Sequence, residues 1–288
     1  MAANLYYFYP NYIDSYNRIH YSVINTLKNT EEDELLVRRN GEVLESTKGF
    51  FSTYEEYWNR YKTTDEYRCI NFDIPESTRE CVDLYKSILR GSILLRALKD
   101  KNNYDDYTII QEKSDKLTIR ATNWLNTTDF YIAPASTRFH DSYPSGLLLH
   151  TLRVVNNTVD LLKVNKFSSR NINIGSAILC SCIHDWCKIG LYESYKRNVK
   201  NEATGAWEQV TAFKTRPDTM INLGHGVSSA YLGGQFFHLT LKEYEAVRWH
   251  MGHWRVANDD VNELQTCNEN NPLVHLIQFA DQLAIVNY

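Results

Sequence analysis

Residues 177–190, AILCSCIHDWCKIG, decide how this chain is read. An imidazole and a carboxylate, His184 and Asp185, stand side by side in an otherwise apolar run. Taking both out of water is costly unless they pair with each other or hold a metal ion. On its own, the doublet fits a His–Asp hydrogen bond at a helix end equally well. Lys188 lies four residues after His184 and three after Asp185, so a continuing helix would set all three on one face. Such a lysine is either a helix-end cation favoured by the dipole or a holder of phosphate oxygens. Cys180, Cys182 and Cys187 share the run. Their spacing does not bring three thiolates to one point, so they read as reduced core residues and not as ligands.

Working outward, eight of the nine histidines fall between positions 140 and 275. His150 sits among leucines in PSGLLLHTLRVV, where an imidazole is unexpected on a core face. His225 lies between Gly224 and Gly226, whose small size leaves room for a ligand. His250 and His253 are three apart in RWHMGHW, and Asp281 interrupts the apolar helix pattern LVHLIQFADQLAIV. Arg138 and His140, twelve and ten residues before His150, are either phosphate contacts or ordinary loop residues.

Periodicity supplies the frame. Apolar residues from Val82 to Leu98 recur at helical spacing behind a Ser77/Thr78 cap, which predicts a helix over 77–99. Helices are also expected over 146–164, 173–189, 225–238, 240–252 and 272–286. The 240–252 helix opens with a capping box, Thr240 with Glu243. Alternation around Thr204-Gly205 predicts a β-hairpin over 195–213, and Asn40-Gly41 predicts another within 35–44. Residues 11–29 carry scattered helical periodicity, 52–61 read as a Tyr/Trp-rich helix, and the polar run 100–116 reads as a loop.

The chain has 288 residues, enough for one large or two ordinary domains. Its net charge of −4 excludes a protein that coats nucleic acid by bulk charge, though not a local basic groove. No apolar run approaches the ~20 residues of a membrane span, and the N-terminal residues lack the pattern of a signal peptide, so a cytoplasmic protein is expected.

The ordered set His150, His184-Asp185, His225, His250, Asp281 resembles the HD superfamily of metal-dependent phosphohydrolases. GLLLHT, CIHDWCKIG and LVHLIQFADQLA are similar to three of that family's helical segments. The flanks look most like HD hydrolases of bacteria and their phages. The resemblance covers residues 127–288 and leaves 1–126 as an N-terminal region of unknown role. It departs from the family at Leu149, where a Glu often precedes the first His.

The fold so implied is mainly α: an HD-type helical bundle with an inserted β-hairpin, behind a smaller helical or α+β N-terminal region. The resemblance implies His150, His184, Asp185, His225, His250 and Asp281 as ligands of a divalent metal, with two ions per chain. Mn, Fe, Co or Ni suits imidazole better than Mg does. Asp185 would bridge the ions, and Lys188 would stabilise charge on the substrate's phosphoryl oxygens. Arg138, His140 and His253 are candidate substrate contacts, and His253 is equally open as a ligand or as neither. Lys196 and Arg197 open the inserted hairpin, which could act as a lid.

The implied activity is hydrolysis of a nucleotide phosphate ester or anhydride by metal-activated water. Two alternatives stand beside it: a 3′–5′ exoribonuclease or phosphodiesterase acting on RNA or cyclic nucleotides, and an inactive scaffold. The aromatics Tyr54, Tyr57, Trp58 and Tyr61 could stack bases, but their spacing fits a core-facing stripe better. Nucleotide or phosphate-ester substrates are therefore the expected partners, with nucleic acid second.

Overall fold

A computed structural model describes the backbone of residues 6–13, 19–25, 30–37 and 43–46, together with residues 77–98, 107–168, 170–218, 223–254, 257 and 260–286. The protein is mainly helical. Four N-terminal strands, β1 (Tyr6–Ile13), β2 (Ile19–Asn25), β3 (Thr30–Val37) and β4 (Val43–Ser46), pair in that order as an antiparallel sheet. The register between β1 and β2 shifts between Pro10 and Tyr12, where proline has no N–H to give to the ladder. Where residues 11–29 carry scattered helical periodicity, the described part, 11–13 and 19–25, is the end of β1 and the whole of β2, and the remainder lies outside the described residues. Ile, Tyr and Val dominate that stretch, and their β-propensity outweighs a loose helical period. The hairpin expected within 35–44 is present as β3 paired with β4, with Leu35 opposite Ser46. Its Asn40-Gly41 turn and the helix expected over 52–61 lie outside the described residues.

The helical body opens with α1 (Thr78–Leu98) and α2 (Tyr107–Leu125). The loop expected over 100–116 is thus corrected from 107 onward. The inward positions of α2 are Ser114, Thr118, Ala121, Thr122 and Leu125, too polar a stripe for hydropathy to register. The hydroxyls of Thr118 and Thr122 donate to the carbonyls four residues back, at 2.8 and 2.9 Å, which lets them be buried. Next come α3 (Gly146–Lys163), the single turn α4 (Asn165–Ser168) and α5 (Ile174–Ile183). A 3₁₀ turn, Trp186–Lys188, leads to the hairpin of β5 (Tyr192–Lys200) and β6 (Trp207–Thr215). The chain closes with α6 (His225–Phe237), α7 (Leu241–Arg248), α8 (Val261–Asn270) and α9 (Pro272–Val286). Sequence periodicity missed α8, whose one buried residue is Leu264.

One hydrophobic core runs through these helices and crosses position 126. Tyr85, Leu89 and Ile93 of α1 and Leu125 of α2 belong to the same cluster as Leu152, Leu179, Phe237 and Leu276. Trp186 is fully buried at its centre, with ring centroids 5.3 Å from Trp124, 5.9 Å from Phe236 and 5.8 Å from Phe237. Its indole N–H donates to the Tyr85 hydroxyl at 3.1 Å, which donates in turn to the Cys182 carbonyl at 3.1 Å. The residues flanking His184-Asp185 are thereby fixed to α1. A part-buried ion pair ties α1 to α7: Arg96 Nε lies 2.7 Å from Oε1 of the buried Glu243. The same guanidinium donates to the Phe237 and His238 carbonyls at 2.7 and 2.8 Å, closing the C-terminus of α6. Glu243 also completes the capping box with Thr240, as its sequence position predicts. Among the described residues, no helix is long and apolar enough to cross a membrane.

Candidate metal centre

The helix expected over 173–189 stops at Ile183. His184 and Asp185 then leave regular helix, and the chain tightens into the 3₁₀ turn before Ile189 extends. This break lets neighbouring side chains converge where a continuous helix would splay them. The His184 Nδ1 faces the Ser181 carbonyl at 2.7 Å. A carbonyl can only accept, so Nδ1 carries the proton and Nε2 of the neutral ring presents a lone pair.

The other donors arrive from four directions. His150 comes from the first turn of α3, which presses against the preceding loop. A Cβ at Gly146 would lie 2.0 Å from the Asp141 carbonyl oxygen, so no larger residue fits there. His225 begins α6, and a Cβ at Gly226 would lie 1.9 Å from the Arg248 carbonyl oxygen. Of the two glycines of GHG, Gly226 serves this close packing, whereas Gly224, at φ 90° with open space around it, serves the turn into α6. His250 follows the C-terminus of α7, and its Nδ1 donates to the Val247 carbonyl at 2.7 Å. This bond repeats the one at His184 and fixes the same tautomer. Asp281 projects from α9.

Asp185 is the hub of this arrangement. Its Oδ1 lies 2.9 Å from His225 Nε2 and 3.6 Å from His250 Nε2. Its Oδ2 lies 3.5 Å from His150 Nε2 and 3.4 Å from His184 Nε2. Asp281 Oδ1 joins the second group, 3.0 Å from His150 Nε2 and 3.8 Å from His184 Nε2. Two sets of donors, His150/His184/Asp185 and Asp185/His225/His250, each bring their ligand atoms within 4.8 Å of one another. Both sets can hold a metal ion, and they share one carboxylate.

The electrostatics agree with a cation-holding site. Asp185, Asp281 and Lys188 are all buried. Burial opposes ionisation of Asp185, but Lys188, with Nζ 2.6 Å from Oδ2, and then His184 overcome it and hold the carboxyl well below its ordinary range. Burial likewise opposes the charge on Asp281, and the hydrogen bond from His150 outweighs it. Two buried carboxylates against one ammonium leave a negative charge inside the core for a proton or a cation to balance; burial opposes the charged form of His184, but Asp185 and then Asp281 outweigh it and push its pKa up. The lone pairs tell the same story. His150 Nε2 and His184 Nε2 stand 3.4 Å apart, and His250 Nε2 is buried with no hydrogen-bond partner. A proton on His150 Nε2, which also lies 3.0 Å from Asp281 Oδ1, or a metal ion between the rings satisfies that contact. The donor set could therefore hold a metal ion.

Cys187 Sγ lies 3.1 Å from His225 Nδ1. Burial pushes its thiol pKa up, so it remains a neutral thiol, consistent with its exclusion as a ligand. Of the three candidate substrate contacts, the structure brings only His140 to the cluster. Its ring centroid is 4.9 Å from that of His150, and its Nε2 is buried without a partner. Burial and then the neighbouring His150 push its pKa down to about 4, so the ring is neutral at physiological pH. Arg138 is an exposed residue whose guanidinium lies 5.5 Å from the Phe139 ring centroid. His253 is an exposed residue in the turn after α7 and belongs to neither donor set. The structure thus does not bring these two into the buried cluster.

Sequence reasoning missed Asp141. Its Oδ2 sits 3.9 Å behind His150 Nδ1, and Arg153 holds the carboxylate at 2.7 and 2.9 Å. The Tyr143 hydroxyl donates to it as well. The available signal was a carboxylate nine residues before His150 with an arginine three residues after that histidine. Leu149, at the position of the family's frequent Glu, packs half-buried against the apolar core. A cavity of about 880 Å³ between α1, α2 and α7 holds none of the cluster residues. Comparison with protein-family models, with curated proteins and with solved structures found no match to this chain.

Proposed function

We propose that this protein is a metal-dependent phosphohydrolase of the HD type, with two divalent ions sharing Asp185, acting on a phosphate ester or anhydride of a nucleotide. The observation that carries this reading is the hub: one buried carboxylate whose two oxygens each face their own pair of histidine Nε2 atoms. His150, His184, Asp185 and Asp281 would hold one ion, and Asp185, His225 and His250 the other. When bound, such ions supply Lewis acidity and lower the pKa of water to near neutrality.

The chain's own residues supply the remainder. Lys188 is charged, because Asp185 outweighs the effect of burial, and it stands at the centre where phosphoryl oxygens would come to rest. Its ammonium stabilises the negative charge that spreads over those oxygens as the bond to the leaving group lengthens. His140, neutral and with a free buried nitrogen, is placed to donate a hydrogen bond to the same phosphoryl group. Asp141 backs His150, and Arg153 keeps that carboxylate in place. Hydrolysis joins the water oxygen to phosphorus, breaks one P–O bond and passes the water's proton to the departing oxygen.

The test is metal content per chain on protein purified without chelator, with hydrolysis of a nucleotide panel measured in Mn²⁺ and Ni²⁺. About two transition metals per chain together with phosphate release are expected. Failure to take up metal after incubation with either ion would overturn the reading and leave the scaffold alternative.

A further inference from the structure

The β5–β6 hairpin leaves the body directly after the candidate metal centre and returns to it before His225. Its base closes where the Arg216 N–H donates to the Leu191 carbonyl at 2.9 Å, and the Leu191 N–H donates to the Lys188 carbonyl at 3.1 Å. Nine residues in each strand pair without a shift in register, from Tyr192 opposite Thr215 to Lys200 opposite Trp207. Side chains alternate across a strand, so the register sorts the ribbon into two faces.

The faces differ in charge. One carries Glu193, Tyr195, Arg197 and Val199 with Glu208, Val210, Ala212 and Lys214, and its Glu193–Lys214 pair closes at 2.8 Å. Two acids and two bases cancel there. The other carries Tyr192, Lys196, Lys200, Trp207 and Phe213 among Ser, Thr, Asn and Gln, with no acid at all. Lys196 Nζ donates to Thr211 Oγ1 at 2.9 Å across this second face, which confirms the sorting. Trp207 is 71% exposed, far out for the largest apolar side chain. At the root, Tyr192 directly follows Leu191, whose N–H donates to the Lys188 carbonyl. Same-face neighbours are ~7 Å apart along a strand, so aromatics and cations run for roughly 27 Å into the candidate centre.

We infer that this face is a track for single-stranded nucleic acid, and that the substrate of the centre is a phosphodiester of such a strand. The inference rests on the phosphohydrolase reading for what happens at the inner end. The recognition itself rests on the ribbon. Aromatic faces stack bases without regard to sequence, and lysines between them meet the phosphates. The opposite face carries one aromatic, Tyr195, and its two bases are offset by two acids, so it offers a strand less of both. Hydrolysis at the root would join water's oxygen to phosphorus, break one P–O ester bond and return the proton to the leaving hydroxyl.

The experiment is binding of fluorescein-labelled oligo(dT) and oligo(U), each of about twelve nucleotides, to the full chain in EDTA. Anisotropy then reads the track apart from metal and cleavage. Trp207→Ala is expected to weaken binding about tenfold. Lys196→Ala with Lys200→Ala is expected to flatten the slope of log K against log salt by about 1.4. Tyr195→Ala with Arg197→Ala, on the other face, is expected to change affinity less than twofold. Equal losses from both faces, or no binding at about 100 µM protein, would overturn the inference. So would a concentration-dependent dimer that the Trp207 variant abolishes while no oligonucleotide binds, since the face would then be a protein interface. Metal content measured separately distinguishes the two failures. Two ions with no track leave the phosphohydrolase reading standing, whereas a working track without metal removes that reading alone.

Discussion

Two buried polar clusters share the helical core, and they are built on opposite plans. At the junction of α1 and α7, Arg96 faces Glu243, the guanidinium's other donors take two helix-end carbonyls, and the carboxylate caps the next helix. Every charge there meets a partner within the protein. At the Asp185 hub, histidine lone pairs converge on carboxylates and on each other, and one Nε2 has no partner. Both clusters are out of water and both join distant segments. The first pairs each of its charges with an opposite charge or a carbonyl of the protein, so it reads as structural. The second gathers imidazole and carboxylate donor atoms within reach of one another, and these could hold a metal ion.

Exchanging the lesions would test this difference most severely. Asp185→Asn keeps the shape of the hub and removes the shared charge. It is expected to abolish metal binding and to lower phosphohydrolase turnover at least a thousandfold, ~4 kcal/mol, with the fold retained by circular dichroism. Glu243→Ala removes the ion-pair partner of a part-buried arginine together with the cap of α7, and is expected to cost about 2–3 kcal/mol of stability by denaturant titration, while protein that remains folded keeps its full metal content. If the Glu243 variant lost metal while fully folded, or the Asp185 variant kept it, the division into structural and ligand-holding clusters would be wrong.

Metal removal sharpens the same contrast with a smaller effect. A cation that binds only the folded hub stabilises the protein by about 2.7 kcal/mol at a hundred times its Kd. EDTA is therefore expected to lower the Tm of the wild type and to leave that of Asp185→Asn unmoved. An equal drop in both would place the stabilising ion elsewhere.

The hub was largely legible in the sequence because its residues break local rules. His150 among leucines, a His-Asp doublet in an apolar run and an aspartate inside α9 are each costly without partners, so their presence signals a shared purpose. The Arg96–Glu243 cluster was not legible as a pair. Glu243 showed only its capping role, and nothing near Arg96 pointed 147 residues ahead. Among the elements, α2 was half-hidden because its buried stripe is Ser, Thr and Ala, and α8 because its pattern has a single buried anchor. Length and periodicity find helices that bury leucine stripes. They fail where small polar side chains bond back to their own helix and make burial affordable.

The smallest expected effect concerns the loop before α3, where adjacent residues part company. His140 turns in against His150, while Arg138, two positions earlier, turns out over Phe139. The loop between them is pinned: the Ser136 hydroxyl donates to the His140 carbonyl at 2.6 Å and accepts from the Phe139 N–H at 2.9 Å. A loop so tied does not swing Arg138 into the centre without breaking both bonds. His140→Ala is accordingly expected to lower kcat by about a hundredfold with metal content intact, the usual cost of one lost donor to a phosphoryl group. Arg138→Ala and His253→Ala are expected to change kcat less than threefold and stability by under ~0.5 kcal/mol. A loss at Arg138 equal to that at His140 would mean that substrate pulls the loop inward. The two short bonds from Ser136 would then be the latch, and Ser136→Ala should mimic the closed loop by raising affinity in the wild-type background while leaving the Arg138 variant unchanged.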